Sequence, residues 1–343
     1  MRQRSAGVTV RPADVPMTKA NILRRCILPA FMLTLAGCTP ATTQFFSTQQ
    51  SRIGPDDGSD SCRPRVVGLD NTGQFFGRDI LTGAAVGGVA GGVLGYVFGG
   101  HDWQGALIGA SAGAAAGGLT AYVVDMHQRL ATENQHIDDT QLAFNALMDC
   151  RFEQARAIRA DYRARIIDRP TAQARMAKVK AWAQRDLALA RTIDTNIRDR
   201  GSQFELAADK VAPGSSAAAA AQVPTPRHVT VRRTVALRLN PDAGAPDIGR
   251  VPAGQSVSAT PVGGRYALVE TSGGQRGYVE TSALKGSVGP PPSGLAAPTA
   301  ASGADTPEAV RSLAGSNAAR RDAFEQSVVV AEAATTGGFQ SVD

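Results

Sequence analysis

The sequence predicts a multidomain α + β chain: a glycine-zipper helical hairpin, a long α-helical hairpin of coiled-coil-like character, a small β-barrel and disordered linkers. Three observations predict it. Glycine recurs at every fourth residue, at Gly83, Gly87, Gly91, Gly95 and Gly99, and again after a polar break at Gly105, Gly109, Gly113 and Gly117. Apolar residues return at helical spacing from Leu130 to Ile166 and from Met176 to Ile197. Short alternating runs punctuated by Gly, Pro, Asp and Asn fill residues 227–286. With 37 Gly and only 5% aromatic residues in 343, the chain has too little large apolar mass for one big core. Several small modules strung along linkers are therefore expected.

Residues 1–37 read as an address. Lys19, Arg24 and Arg25 precede an apolar run from Cys26 to Leu35, which is too short for a spanning helix. The run ends in Leu35-Ala36-Gly37-Cys38. This resembles the signal of bacterial lipoproteins, with Met17 as a candidate start. The resemblance implies lipidation of Cys38, which becomes the mature N-terminus. Thr39, where an inner-membrane lipoprotein carries Asp, implies an outer-membrane lipoprotein facing the periplasm. Cys26 leaves with the signal, so Cys62 and Cys150 remain as one pair in an oxidising compartment, either bridged or as two free thiols. A disulfide is the expectation.

Residues 38–79 are rich in Ser, Thr, Gln, Gly and Asp and read as a tether. The block 80–124 poses a physical problem, because each helical glycine costs about 1 kcal/mol relative to alanine. Spacing by four puts the glycines on one face, where two backbones can approach closely, as in membrane helix packing. No charge falls between Ile80 and Gly100 or between Gln104 and Val124, and Trp103 sits at the break. The block resembles the glycine-zipper two-helix domain of bacterial envelope lipoproteins. That resemblance implies insertion in the membrane or a homo-oligomer. Gly109-Ala110-Ser111-Ala112-Gly113 matches a nucleophile elbow by letter only, since no strand precedes it.

Residues 125–208 read as two long helices joined at Asp168–Thr171, with Pro170 as the breaker and Thr171 as a cap. An antiparallel hairpin or a single kinked rod fits. The Ala, Ser and Pro of 209–226 read as a linker, as do residues 287–305. In 306–343, Thr306-Pro307-Glu308 starts a weak helix that ends near Gly337.

Between them, Tyr266-Ala267-Leu268-Val269, Gly274-Gln275-Arg276-Gly277-Tyr278-Val279 and Leu284 follow one another in order, after Ala236-Leu237-Arg238-Leu239-Asn240-Pro241. This resembles the bacterial Src-homology-3-like (SH3-like) domain, with Tyr266 and Tyr278 where tryptophans are usual. The resemblance implies an SH3-like barrel contacting peptidoglycan or an envelope protein. Tyr266 and Tyr278 are candidate sugar platforms, and Arg238, Arg265 and Arg276 candidate partners for wall carboxylates.

The formal net charge of +6 suits anionic surfaces, yet no aromatic-rich basic strand points to nucleic acid. The four His are scattered without metal-ligand spacing, and no cofactor or catalytic constellation is present in the pattern. The expectation is a non-enzymatic, lipid-anchored scaffolding protein of the envelope. The alternatives are an accessory subunit of an export machine and a regulatory module for a wall hydrolase.

Overall fold

The computed structural model describes residues 48–77, 118–290, 292, 295 and 306–339, with side chains from Val123 onward in the helix that opens at Gly118. The signal, Cys38, the nine phased glycines and most of residues 287–305 lie outside the described residues.

Among the described residues, six α-helices and seven strands follow in order: α1 (Gln49–Ile53), α2 (Arg63–Gly73), α3 (Gly118–Arg163), α4 (Arg169–Val211), α5 (Ser215–Ala221), β1 (Arg227–Val231), β2 (Val235–Arg238), β3 (Asp247–Val251), β4 (Ser256–Gly263), β5 (Tyr266–Thr271), β6 (Arg276–Glu280), β7 (Leu284–Lys285) and α6 (Pro307–Gly338). Helix α3 opens inside the block read as the glycine-phased hairpin, and its Val123 and Met126 are core residues.

Helices α3 and α4 form an antiparallel hairpin: Glu133 meets Arg200 and Arg151 meets Asp186. The rod alternative is thereby excluded. The cap differs from the sequence expectation, for it is the Asp168 side chain that accepts from the Thr171 N–H, with Pro170 in the first turn. Arg165 ends α3 at φ 59°, and the Ile166 N–H bonds back to the Asp161 carbonyl. That is the left-handed C-terminal cap that usually takes glycine.

The C-terminal segment corrects the sequence reading most. The expected weak helix, α6, is the third helix of the bundle. It runs parallel to α3, with Asn317 on Asn134 and Arg320 on Asp138. It runs antiparallel to α4, with Arg321 on Glu205 and Arg198 on Glu325. Its buried face carries Val310, Leu313, Phe324 and Val328 among many alanines. Small residues let the helices come close: a Cβ on Gly201 of α4 would lie 2.4 Å from the Arg321 side chain. Thr306 caps α6 by accepting from the Ala309 N–H.

Two expected linkers also carry structure. The segment 209–226 begins with the end of α4 and contains α5, which packs on α6. The expected tether contains α1 and α2, and its Ile53, Val66, Leu69 and Phe76 join the bundle core. A disulfide links Cys62, at the start of α2, to Cys150 on α3, with Cα atoms 6.0 Å apart.

Beside the disulfide lies Arg151, 1% exposed. Its guanidinium forks onto Asp60 at 2.5 and 2.8 Å and donates to Asp186 at 2.6 Å, with the Trp182 ring 5.3 Å away. Burial raises the Asp60 pKa, but the hydrogen bonds and charge of Arg151 outweigh it and hold the carboxyl below its ordinary value. Burial pushes Asp186 up. Removing the cation alone would strand both carboxylates. Arg151→Met should therefore cost about 3–5 kcal/mol in urea unfolding with the disulfide intact, and Arg151→Lys less, because charge remains without the fork. A loss under about 1 kcal/mol for Arg151→Met would show that the network carries little.

Candidate functional site

The barrel is one antiparallel sheet in the order β3-β2-β6-β5-β4-β1-β7. Strand β5 explains how it is held. Residues alternate along a strand, so Ala267 and Val269 point into the barrel with Val229, Val231, Leu237, Val251, Val257 and Val279. Tyr266 and Leu268 point the other way. With Leu239 and Tyr278 they belong to the same core as Phe144, Phe152 and Phe324 of the helices. Both faces of β5 are buried, which is why its sequence reads as a continuous apolar run.

Tyr278, 2% exposed, meets Ser327 of α6 with its hydroxyl 3.2 Å from the serine Oγ. Burial pushes its pKa to about 12, with the Ser327 hydrogen bond acting in the opposite sense and Asp322 adding to the rise. A second seam joins Asn240 to α3, where its Nδ2 donates to Asp149 Oδ1 at 2.9 Å. The barrel is thus docked on the bundle, where the sequence reading had it set between two linkers.

The structure places the five candidate ligand residues apart from any open platform. Neither tyrosine ring is exposed for a sugar to stack on. Each arginine is engaged within the barrel. Arg276 pairs with Glu270 directly across the β5–β6 register at 3.0 Å. Arg238 pairs with Asp247 at 3.4 Å and donates to the Ala245 carbonyl. Arg265 lies 5.7 Å over the Tyr266 ring and 3.7 Å from Glu280.

The available cations lie elsewhere. The end of β1, the start of β2, the turn 252–255 and β7 meet at one end of the barrel. Val231 pairs with Leu284, its N–H donates to the Gln255 carbonyl, and the Gly254 N–H donates to the Val231 carbonyl. Arg232, Arg233, Arg250 and Lys285 are exposed there; the Arg232 Nε donates to the Leu284 carbonyl at 2.8 Å, and no ion pair joins any of the four to an acid among the described residues. The segments 227–236, 250–259 and 283–290 contain no Asp or Glu at all. That absence was visible in the sequence and was the signal that could have found them. Among the described residues, no group of three or more His, Cys, Asp or Glu could hold a metal ion, and no helix is long and apolar enough to cross a membrane.

The family model described as bacterial SH3 domain matches residues 233–285, and the antiparallel sheet there is consistent with an SH3-like domain. No curated protein and no solved structure matches the chain.

The Asn240–Asp149 seam titrates. Asp149 is pushed up to about 6, chiefly by burial, with Asp242 and Glu153 adding and Asn240 and Arg65 opposing. An unfolded Asp releases its proton near 3.9, so between those values the native state holds a proton the unfolded chain has lost. Stability at this seam should therefore rise as pH falls from 7 to 5, by at most about 1 kcal/mol for a half-buried group. The protonated acid can also donate to the Asn240 Oδ1, which is buried without a partner. Amide protection factors at Leu239 and Asn240 should be higher at pH 5 than at pH 7. Asp149→Asn, which mimics the protonated acid, should show the higher value at both.

Proposed function

We propose that this protein is a non-enzymatic, lipid-anchored protein of the bacterial envelope that holds a bacterial SH3 domain against a helical body and presents its cationic end to the cell wall. The carrying observation is the cluster of Arg232, Arg233, Arg250 and Lys285 at the undocked end of a domain type associated with peptidoglycan and cell-wall proteins. Peptide stems of the wall offer free carboxylates, and charge-assisted hydrogen bonds from arginine forks fit them. The reading moves the contact from the tyrosine face to the charged end, because the tyrosines are occupied by docking.

Lipidation at Cys38 and a glycine-zipper segment over 80–124, acting in the membrane or as an oligomer seam, complete the reading. What supports them is the sequence pattern. The Cys62–Cys150 bridge fits an oxidising compartment.

The test is cosedimentation of the full-length chain with purified peptidoglycan at about 50 mM and about 300 mM salt, where screening weakens exposed contacts. Wild type should sediment at the lower salt and much less at the higher. Arg232→Glu with Arg233→Glu should reduce sedimentation at least about tenfold, since two cations become two anions. Arg276→Ala should leave it unchanged. No sedimentation of folded wild type at either salt would refute the wall contact and favour a protein partner in an export machine.

A further inference from the structure

The segment around the turn between α3 and α4 is strongly cationic. Residues 156–180 hold eight Lys or Arg against two Asp, a surplus of six that equals the formal net charge of the whole protein, +6. The rest of the chain is therefore neutral in sum. Arg163, Arg165, Arg169 and Arg175 are all exposed around the turn. Acids offset part of the surplus, since Arg156 pairs with Glu153 and Lys178 with Asp57, and Asp168 caps α4 beside the turn. Arg163 lies close enough to Arg159 to lower its pKa further beyond the effect of burial.

At the summit of this ring stands Ile166, 71% exposed and the most exposed large apolar side chain among the described residues. Ile167 beside it is half-buried and packs on the bundle core. Arg165 occupies the left-handed capping position where glycine would be unstrained. The local sequence thus gives up a favourable turn residue for one more cation beside the exposed isoleucine.

We infer that this turn docks on an anionic lipid surface. A ring of guanidinium groups around one apolar tip matches the layering of a bilayer interface, with phosphates outside and hydrocarbon within. Each basic residue near such a surface adds attraction that salt weakens within a Debye length. A soluble polyanion would satisfy the arginines but gives Ile166 nothing to enter. Alone the turn is a weak binder, and a second attachment of the same chain to a membrane would raise its effective concentration. The surface is separate from the basic end of the barrel and does not depend on wall binding.

The experiment reconstitutes the full-length chain in neutral phosphatidylcholine vesicles and measures capture of a second, fluorescent set of vesicles. The captured vesicles are pure phosphatidylcholine or contain about 30 mol% phosphatidylglycerol, enough to give a strongly negative surface. Disulfide mapping and circular dichroism report the fold of every variant. Capture of the anionic vesicles should exceed that of neutral ones at least about tenfold at low salt. Arg163→Glu with Arg165→Glu should abolish the excess, and Ile166→Asp should cut it several-fold. Arg232→Glu with Arg233→Glu should leave it intact. Equal capture of both vesicle types would overturn the inference, as would loss in the barrel variant alone. Wild-type behaviour of Ile166→Asp, together with full competition by soluble polyglutamate, would also overturn it by showing a polymer site.

Discussion

The helical body depends on one buried cation. Arg151 draws Asp60 from the N-terminal segment and Asp186 from α4 onto α3, one residue from the Cys150 end of the disulfide. Three pieces of chain that are distant in sequence meet at a single guanidinium. Burying such a group costs several kcal/mol of hydration, and only a fully hydrogen-bonded arrangement offsets it. The net gain is specificity of pairing more than stability. The disulfide supplies stability separately, by closing a loop of 88 residues in the unfolded chain, worth about 4–5 kcal/mol in the chain-entropy account.

The same device recurs through the bundle. Arg52 forks onto Asp70, joining α1 to α2, and Arg200 forks onto Glu133, joining α4 to α3. Arg320 of α6 holds Asp138. The carboxylates of Asp70 and Glu133 are nearly inaccessible, as is the Arg320 side chain. This fits a chain with 5% aromatic residues, in which alanine and glycine let helices approach but cannot by themselves select a register. Gly73 shows how closely α2 and α4 pass, for a Cβ there would lie 2.3 Å from the Ile193 side chain. Small residues set the distance, and the forks set the alignment.

What the sequence revealed follows from this division. The SH3-like pattern was legible because its alternation and turn glycines are local. The α3–α4 hairpin was legible because Leu, Ile, Phe and Met mark its buried stripe. Helix α6 announced its start through Thr306-Pro307-Glu308, but not its central place. Its buried positions include Ala314, Ala318, Ala319, Ser316, Asn317 and Arg320, which periodicity counts as weak or polar. The roles of Tyr278 and Arg276 were hidden for a related reason. Nothing near Tyr278 in sequence names Ser327 as its partner, and Arg276 becomes neutralised only when the β5–β6 register puts Glu270 opposite it.

Docking changes what the barrel can do. A domain of about 60 residues has a marginal core, and the outward face formed by Leu239, Tyr266, Leu268 and Tyr278 gains a second one from α3 and α6. The orientation of its basic end is then fixed relative to the bundle, because the seams at Ser327 and Asp149 lie on different helices. A rise of 1.5 Å per residue along α3 puts the Arg163 end about 21 Å from the Asp149 seam. The basic end of the barrel and the cationic turn are therefore carried by the same helical body. Because docking couples the barrel to the bundle, a surface that engages one of them also biases how the other is presented.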